Sequence, residues 1–215
     1  ADDFPLIGCC AVQCNTTCDG SLMGNGIEAR SFKIPTFQLA VPIRHRQESV
    51  QEYAAEEVVN AIHFIEEQTG EKFDWDAFFK SMKRFNAETE EFLEWMEISK
   101  TDYPQVMGVT LALYRYGVYQ AAGGRNQAFL DMDKKLTKMA LDAYKNKEIA
   151  AKEYRHRAMT WGVQAAYYTA LPIWLLNCWG VVTIADMLSM VSTEMVNTED
   201  KHQAMLDLAY LYENM

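Results

Sequence analysis

The feature that most confines this chain is where its short apolar runs fall: a strand-and-helix alternation stands at each end, with a long helical stretch between. Leu6 to Gln13 is an apolar run with small residues, and after a turn-rich segment with Gly20, Gly24 and Gly26 comes a second run, Ile34 to Val41, closed by Pro42. Two strands with a helix between them fit one βαβ crossover, which pairs the strands in parallel and puts helices on the sheet faces. Near the other end, Arg157 to Trp161 reads as a short strand closed by Gly162, Ala165 to Trp179 as a helix, and Gly180 to Ala185 as an apolar strand followed by Asp186. A final amphipathic helix covers His202 to Tyr212. The fold class is therefore α/β, with residues 1–46 and 155–215 each beginning a parallel-sheet lobe and residues 47–154 as a helical connection. A doubly wound lobe needs about four or five strands, so both lobes read as incomplete and the chain is expected to be a piece of a longer one.

In the central section the apolar period turns helical. Tyr53, Ala54, Val58, Ala61, Ile62 and Ile65 fall on one face, with Glu56, Glu57, Glu66 and Glu67 mostly opposite, and Thr69–Gly70 as the stop. The next helix starts at Asp74 or Asp76, with Asp74 as its N-cap, and turns Phe79, Met82, Phe85, Phe92, Leu93 and Met96 inward. Pro104 breaks the pattern, a third helix runs from Val106 to Ala122 before Gly123 and Gly124, and a fourth from Gln127 to Tyr154.

With 49% hydrophobic residues over 215 positions the chain can bury a substantial core. Lys and Arg number 20 against 30 Asp and Glu, and the net charge of −10 argues against a nucleic-acid surface. No apolar run approaches the roughly 18 residues of a membrane span, and the N-terminus lacks the basic start of a signal peptide, so the expected setting is cytoplasmic. Five cysteines, two of them adjacent, make a disulfide framework the weaker account.

Four of those cysteines, Cys9, Cys10, Cys14 and Cys18, crowd into PLIGCCAVQCNTTCDG, between the first strand and its helix. The carboxyl ends of parallel strands are where α/β folds bind ligands, and a helix N-terminus favours a thiolate there. Soft thiolates select iron–sulfur clusters, zinc or copper(I), and the spacing of Cys10, Cys14 and Cys18 matches neither a zinc ribbon nor a ferredoxin run. Each residue has a plainer reading beside this one. Cys9 and Cys10 suit core packing in an apolar strand, Asp19 suits a helix cap, and Cys178, late in an apolar helix, suits the core.

The order of an apolar strand, Cys18–Asp19, IPTFQLAVP, a long acidic helix ending EEQTGEKFDWDAF, Asn86 and then RHRAMTWG resembles the 2-hydroxyacyl-CoA dehydratase and benzoyl-CoA reductase family. More narrowly it is similar to a subunit of the 2-hydroxyglutaryl-CoA dehydratase type, from Leu6 to about Met215. The resemblance implies two flavodoxin-like lobes and a four-iron, four-sulfur cluster held by three cysteines with one iron open. Cys18 matches the cysteine of the family's Cys–Asp pair and is the expected metal ligand. The other two family ligands come from segments that this sequence does not contain, which leaves Cys9, Cys10 or Cys14 as substitutes, with Cys14 the second cofactor-binding residue chosen.

The implied reaction removes water from a 2-hydroxyacyl-CoA. One electron added to the thioester carbonyl gives a ketyl radical anion, which expels the 2-hydroxyl as hydroxide and acidifies the β-hydrogen. An ATP-dependent activator protein would supply the electron and a sister subunit would complete a heterodimer. Two other readings stand beside it: a subunit of an ATP-dependent benzoyl-CoA reductase, and a non-catalytic electron-relay or structural subunit.

The remaining candidates are weaker in kind. Arg44 and Arg46 around His45 could meet coenzyme A phosphates, although a solvated loop is the commoner outcome. His63, His156 and His202 form no pair at metal-ligand spacing. Gly162 suits a turn, Asp186 ends a strand with no partner to name, and Tyr167, Tyr168, Trp174 and Trp179 suit a core or a subunit interface.

Overall fold

The structure, a computed structural model, describes residues 10–15, 20–40, 42, 47–105, 126–149, 153–160, 170–186 and 194–213. These residues form a mixed α/β chain, mostly helical, with two small parallel sheets of two strands each. The order is β1 (Ala11–Cys14), α1 (Gly20–Phe32), β2 (Thr36–Leu39), α2 (Glu48–Thr69), α3 (Trp75–Ser99), α4 (Gln127–Lys145), β3 (His156–Thr160), α5 (Ala170–Trp179), β4 (Val181–Asp186) and α6 (Lys201–Glu213). The expected helix over 106–122 lies outside the described residues, as does the loop with Arg44, His45 and Arg46.

The chain divides into two compact units, residues 1–79 with 196–215, and residues 80–195. In the first, β1 and β2 pair in parallel, with Ala11 opposite Thr36 and Cys14 opposite Leu39, as the βαβ reading requires. The turn-rich reading of Gly20, Gly24 and Gly26 is corrected, because all three lie inside α1. Nothing stands within 4 Å of a Cβ placed at Gly24 or Gly26, so no neighbour demands glycine there.

Helix α2 covers β2 through a Phe37–Phe64 ring contact at 5.7 Å and through Glu57 Oε2, which accepts the backbone N–H of Ala40 at 3.3 Å. Its buried stripe is narrow and small, Ala54, Ala55 and Ala61, and α2 packs against α6, in which Ala204, Met205 and Ala209 are buried. Small side chains let helix axes approach closely. Tyr53 and Ile65, expected inward, are exposed, because the alanine stripe sets which face turns to α6.

The turn between α2 and α3 is determined locally. Gly70 ends α2 in the left-handed conformation at φ 75°, and its N–H returns to the Glu66 carbonyl. Glu66 then accepts the backbone N–H of Phe73 at 2.9 Å and the Lys72 ammonium at 3.2 Å. These bonds, the Phe73 one first, hold its carboxyl below the ordinary glutamate value. Asp74 caps α3 by accepting from Ala77 N–H, as expected.

In the second unit, α3 and α4 are joined by Trp95 Nε1, which donates to Thr137 Oγ1 at 2.7 Å, around a core that includes Phe92, Ile98 and Leu130. Asn126 caps α4 through Ala128 N–H. The helix stops at Lys145 rather than Tyr154: the Asn146 N–H still returns to the Asp142 carbonyl at 3.0 Å, but Lys147 turns left-handed at φ 59°. The freed segment serves as a clamp on the end of α3. Tyr154 Oη donates to the Asp102 carbonyl, and Arg157 donates to the carbonyls of Lys100 and Thr101 at 2.9 and 2.8 Å, placing positive charge where the helix dipole favours it. Strands β3 and β4 pair in parallel with a register shift between Ala158 and Met159. Gly180, at φ 65°, turns α5 directly into β4.

Candidate functional site

The cysteine-bearing edge belongs to the first unit. Strand β1 extends one residue beyond the expected Gln13 and ends on Cys14, so Cys14 stands at the carboxyl end of a parallel pair, in register with the last residue of β2. Its thiol is half-buried, and so is that of Cys10, just before the strand, where core packing was expected. Helix α1 begins at Gly20, so Cys18 and Asp19 immediately precede its N-terminus in the sequence. Cys9, Cys18 and Asp19 themselves lie outside the described residues.

The strand–loop–helix order is the one in which a thiolate gains from carboxyl-end geometry and from the helix dipole together. Thiolate donors suit an iron–sulfur group, so the residue types at this edge fit one. Among the described residues no three His, Cys, Asp or Glu side chains converge in a metal-binding group. The described part of the edge holds Cys10 and Cys14.

The other candidates separate from this edge. Cys178 is exposed, which corrects its reading as core, and Trp174 and Trp179 are exposed too, with ring centroids 6.1 Å apart. The two tryptophans are therefore not core residues among the described part of the chain. Gly162, Tyr167 and Tyr168 lie outside the described residues, and Asp186 is the last residue of β4. His63 and His156 are exposed, on α2 and at the start of β3.

His202 has a partner that sequence spacing did not indicate: its Nε2 lies 3.4 Å from Glu52 Oε1 on α2. The pair borders a cleft of about 440 Å³ in the first unit, lined also by Glu56, Asn60, Trp75 and Lys201. Lys201 Nζ sits 4.9 Å from the centroid of the Trp75 ring, so the cleft's cation is already engaged by its own aromatic wall. The partners are far apart in sequence, and only the packing of α6 on α2 brings them together. No described helix is long and apolar enough to cross a membrane.

None of the curated proteins compared with the chain matches it. The family described as 2-hydroxyglutaryl-CoA dehydratase, D-component, matches residues 5–215, nearly the whole length, in agreement with the resemblance read from the motif order. The chain belongs to the 2-hydroxyglutaryl-CoA dehydratase D-component family.

Proposed function

We propose that the chain is an iron–sulfur subunit of a cytoplasmic (R)-2-hydroxyacyl-CoA dehydratase, built on two flavodoxin-like lobes and paired with a sister subunit. The observation that supports this reading is the arrangement at the first sheet. Cys14 ends β1, and Cys18 precedes α1 in a chain that matches the dehydratase family over residues 5–215. Cys18 and Cys14 would hold a four-iron, four-sulfur cluster between the end of β1 and the start of α1. When bound, such a group supplies single-electron chemistry to an acyl thioester, with an ATP-dependent activator as the electron source.

This chain's own residues do the positioning. Glu57 fixes the chain at Ala40, just after the end of β2 and a few residues before Arg44 and Arg46 in the sequence. Those guanidinium groups would take the coenzyme A phosphates. The reaction proposed is loss of water from the 2-hydroxyacyl thioester through a ketyl radical anion on the substrate. Anaerobic iron and acid-labile sulfide analysis of the chain and of Cys18→Ser, each alone and with its sister subunit, tests the assignment. About four irons per chain, lost in the variant, is the expected result. Iron-free protein that folds equally well with and without the substitution overturns it.

A further inference from the structure

The cleft of about 440 Å³ in the first unit plays no part in the function proposed above. Its walls come from α2, the start of α3 and the start of α6, all within that unit. Two carboxylates, Glu52 and Glu56, stand one helical turn apart on α2. Against them the lining offers the single ammonium of Lys201, and His202 adds a charge only when protonated. His202 is paired with Glu52, whereas the Glu56 carboxylate makes no hydrogen bond or ion pair among the described residues. With His202 neutral, the cleft is short of one cation.

The chain itself shows which kind of cation the cleft accepts. Lys201 Nζ sits 4.9 Å from the Trp75 ring centroid, inside the roughly 6 Å over which a ring face attracts an ammonium. The seat is exchangeable, because the Lys201 side chain is exposed and its stem is flexible. Val59 and Met205, which also line the cleft, give an alkyl chain an apolar wall to lie against. An unpaired carboxylate, an aromatic face and an apolar wall together suit a primary alkylammonium, whose N–H groups can donate to Glu56. An anion is opposed by both carboxylates and by the net charge of −10.

We propose that this cleft binds a small primary alkylamine, with Lys201 as its tethered competitor. The amine takes the place of Lys201 on Trp75 and pairs with Glu56. The site does not depend on the iron–sulfur assignment, since none of its residues belongs to the thiol edge.

Butylammonium is the probe, because its four-carbon chain repeats the lysine stem. Its dissociation constant is measured on the whole chain by ligand-observed NMR titration at low ionic strength, beside butanol as the neutral analogue. Four substitutions at exposed positions form two charge-matched pairs: Lys201→Gln with Lys33→Gln, and Glu56→Gln with Glu67→Gln. Lys33 and Glu67 do not line the cleft. Lys201→Gln should tighten binding by about threefold, as removal of a competing cation–π contact requires, and Lys33→Gln should leave it nearly unchanged. Glu56→Gln should weaken binding by at least about twofold, and Glu67→Gln should not. Equal constants within each pair would mean diffuse attraction of a cation to an acidic chain, and would overturn the site. So would weaker binding by Lys201→Gln, butanol binding as tightly as butylammonium, or a titration that does not saturate.

Discussion

The two crossovers of this chain, β1–α1–β2 and β3–α5–β4, share a topology and differ in almost everything their side chains do. Both pair two parallel strands through a helix. In the first, the helix carries three glycines, none of its described side chains is fully buried, and thiols stand at the strand end. In the second, the helix has no glycine and no charge, and it shows tryptophan to solvent. Topology fixes where the loops emerge and nothing about what they do. The first crossover sets cysteine at the end of its strand and the second sets exposed tryptophan on its helix.

The largest effect should come from the thiol edge. Cys14→Ser should remove half or more of the bound iron from the assembled protein, while Trp179→Glu, on the helix of the second crossover, should leave the iron unchanged. Iron assay of the two variants checks both. Equal loss of iron in the two breaks the contrast between the crossovers.

Glycine gives the next contrast. Gly180 sits at φ 65°, and a Cβ there would stand 3.2 Å from both the backbone N and the side-chain Cγ of Arg155. The Gly180 carbonyl also accepts the N–H groups of Arg155 and His156, so the backbone has no freedom to relax. Gly180→Ala should therefore lower unfolding free energy by about 1–3 kcal/mol. Gly24 has open space and a helical backbone, so Gly24→Ala should raise stability by about 0.5–1 kcal/mol by stiffening the unfolded chain. Denaturant unfolding of the two variants should give opposite signs. A loss at Gly24 would mean that something packs against α1 after all.

What the sequence disclosed follows from how local each determinant is. Asp74 and Gly70 act within a few residues of themselves, so the α2–α3 turn was legible, and so was the strand–helix alternation at both ends. The end of α4 was not, because Lys147 turns left-handed in a charged stretch that keeps a helical composition. Cys178 on α5 was misread for a different reason. Hydrophobicity shows that a surface avoids water, but it does not show whether the cover comes from this chain or from another. At the thiol edge the strand–loop–helix context was legible, but the pairing that brings Cys14 opposite Leu39 is a register, and a one-residue shift in it moves every side chain to the other face. The His202–Glu52 contact had no signal at all, since it depends on α6 returning to α2.

The smallest predicted effects distinguish the units electrostatically. Glu66 in the first unit and Asp142 in the second both hold their carboxyls below the ordinary range, for different reasons. For Glu66 the main cause is the Phe73 backbone N–H; for Asp142 it is the Lys138 ammonium one helical turn earlier, at 2.5 Å. A lowered folded-state value means that each carboxylate adds stability above its unfolded value, and that this contribution fades as pH falls through the folded one. Glu66→Gln keeps an acceptor for Phe73 but cannot titrate. Its unfolding midpoint should differ from wild type above about pH 5 and converge with it in more acidic solution. Asp142→Asn should follow the same course at low salt, more weakly, because an exposed pair is worth little. At about 0.5 M salt the Asp142 difference should disappear, while the Glu66 difference, resting first on a direct backbone hydrogen bond, should persist. Equal salt sensitivity at the two sites would mean that Lys72, and not Phe73, carries the Glu66 interaction, and the two units would then hold their surface carboxylates in the same way.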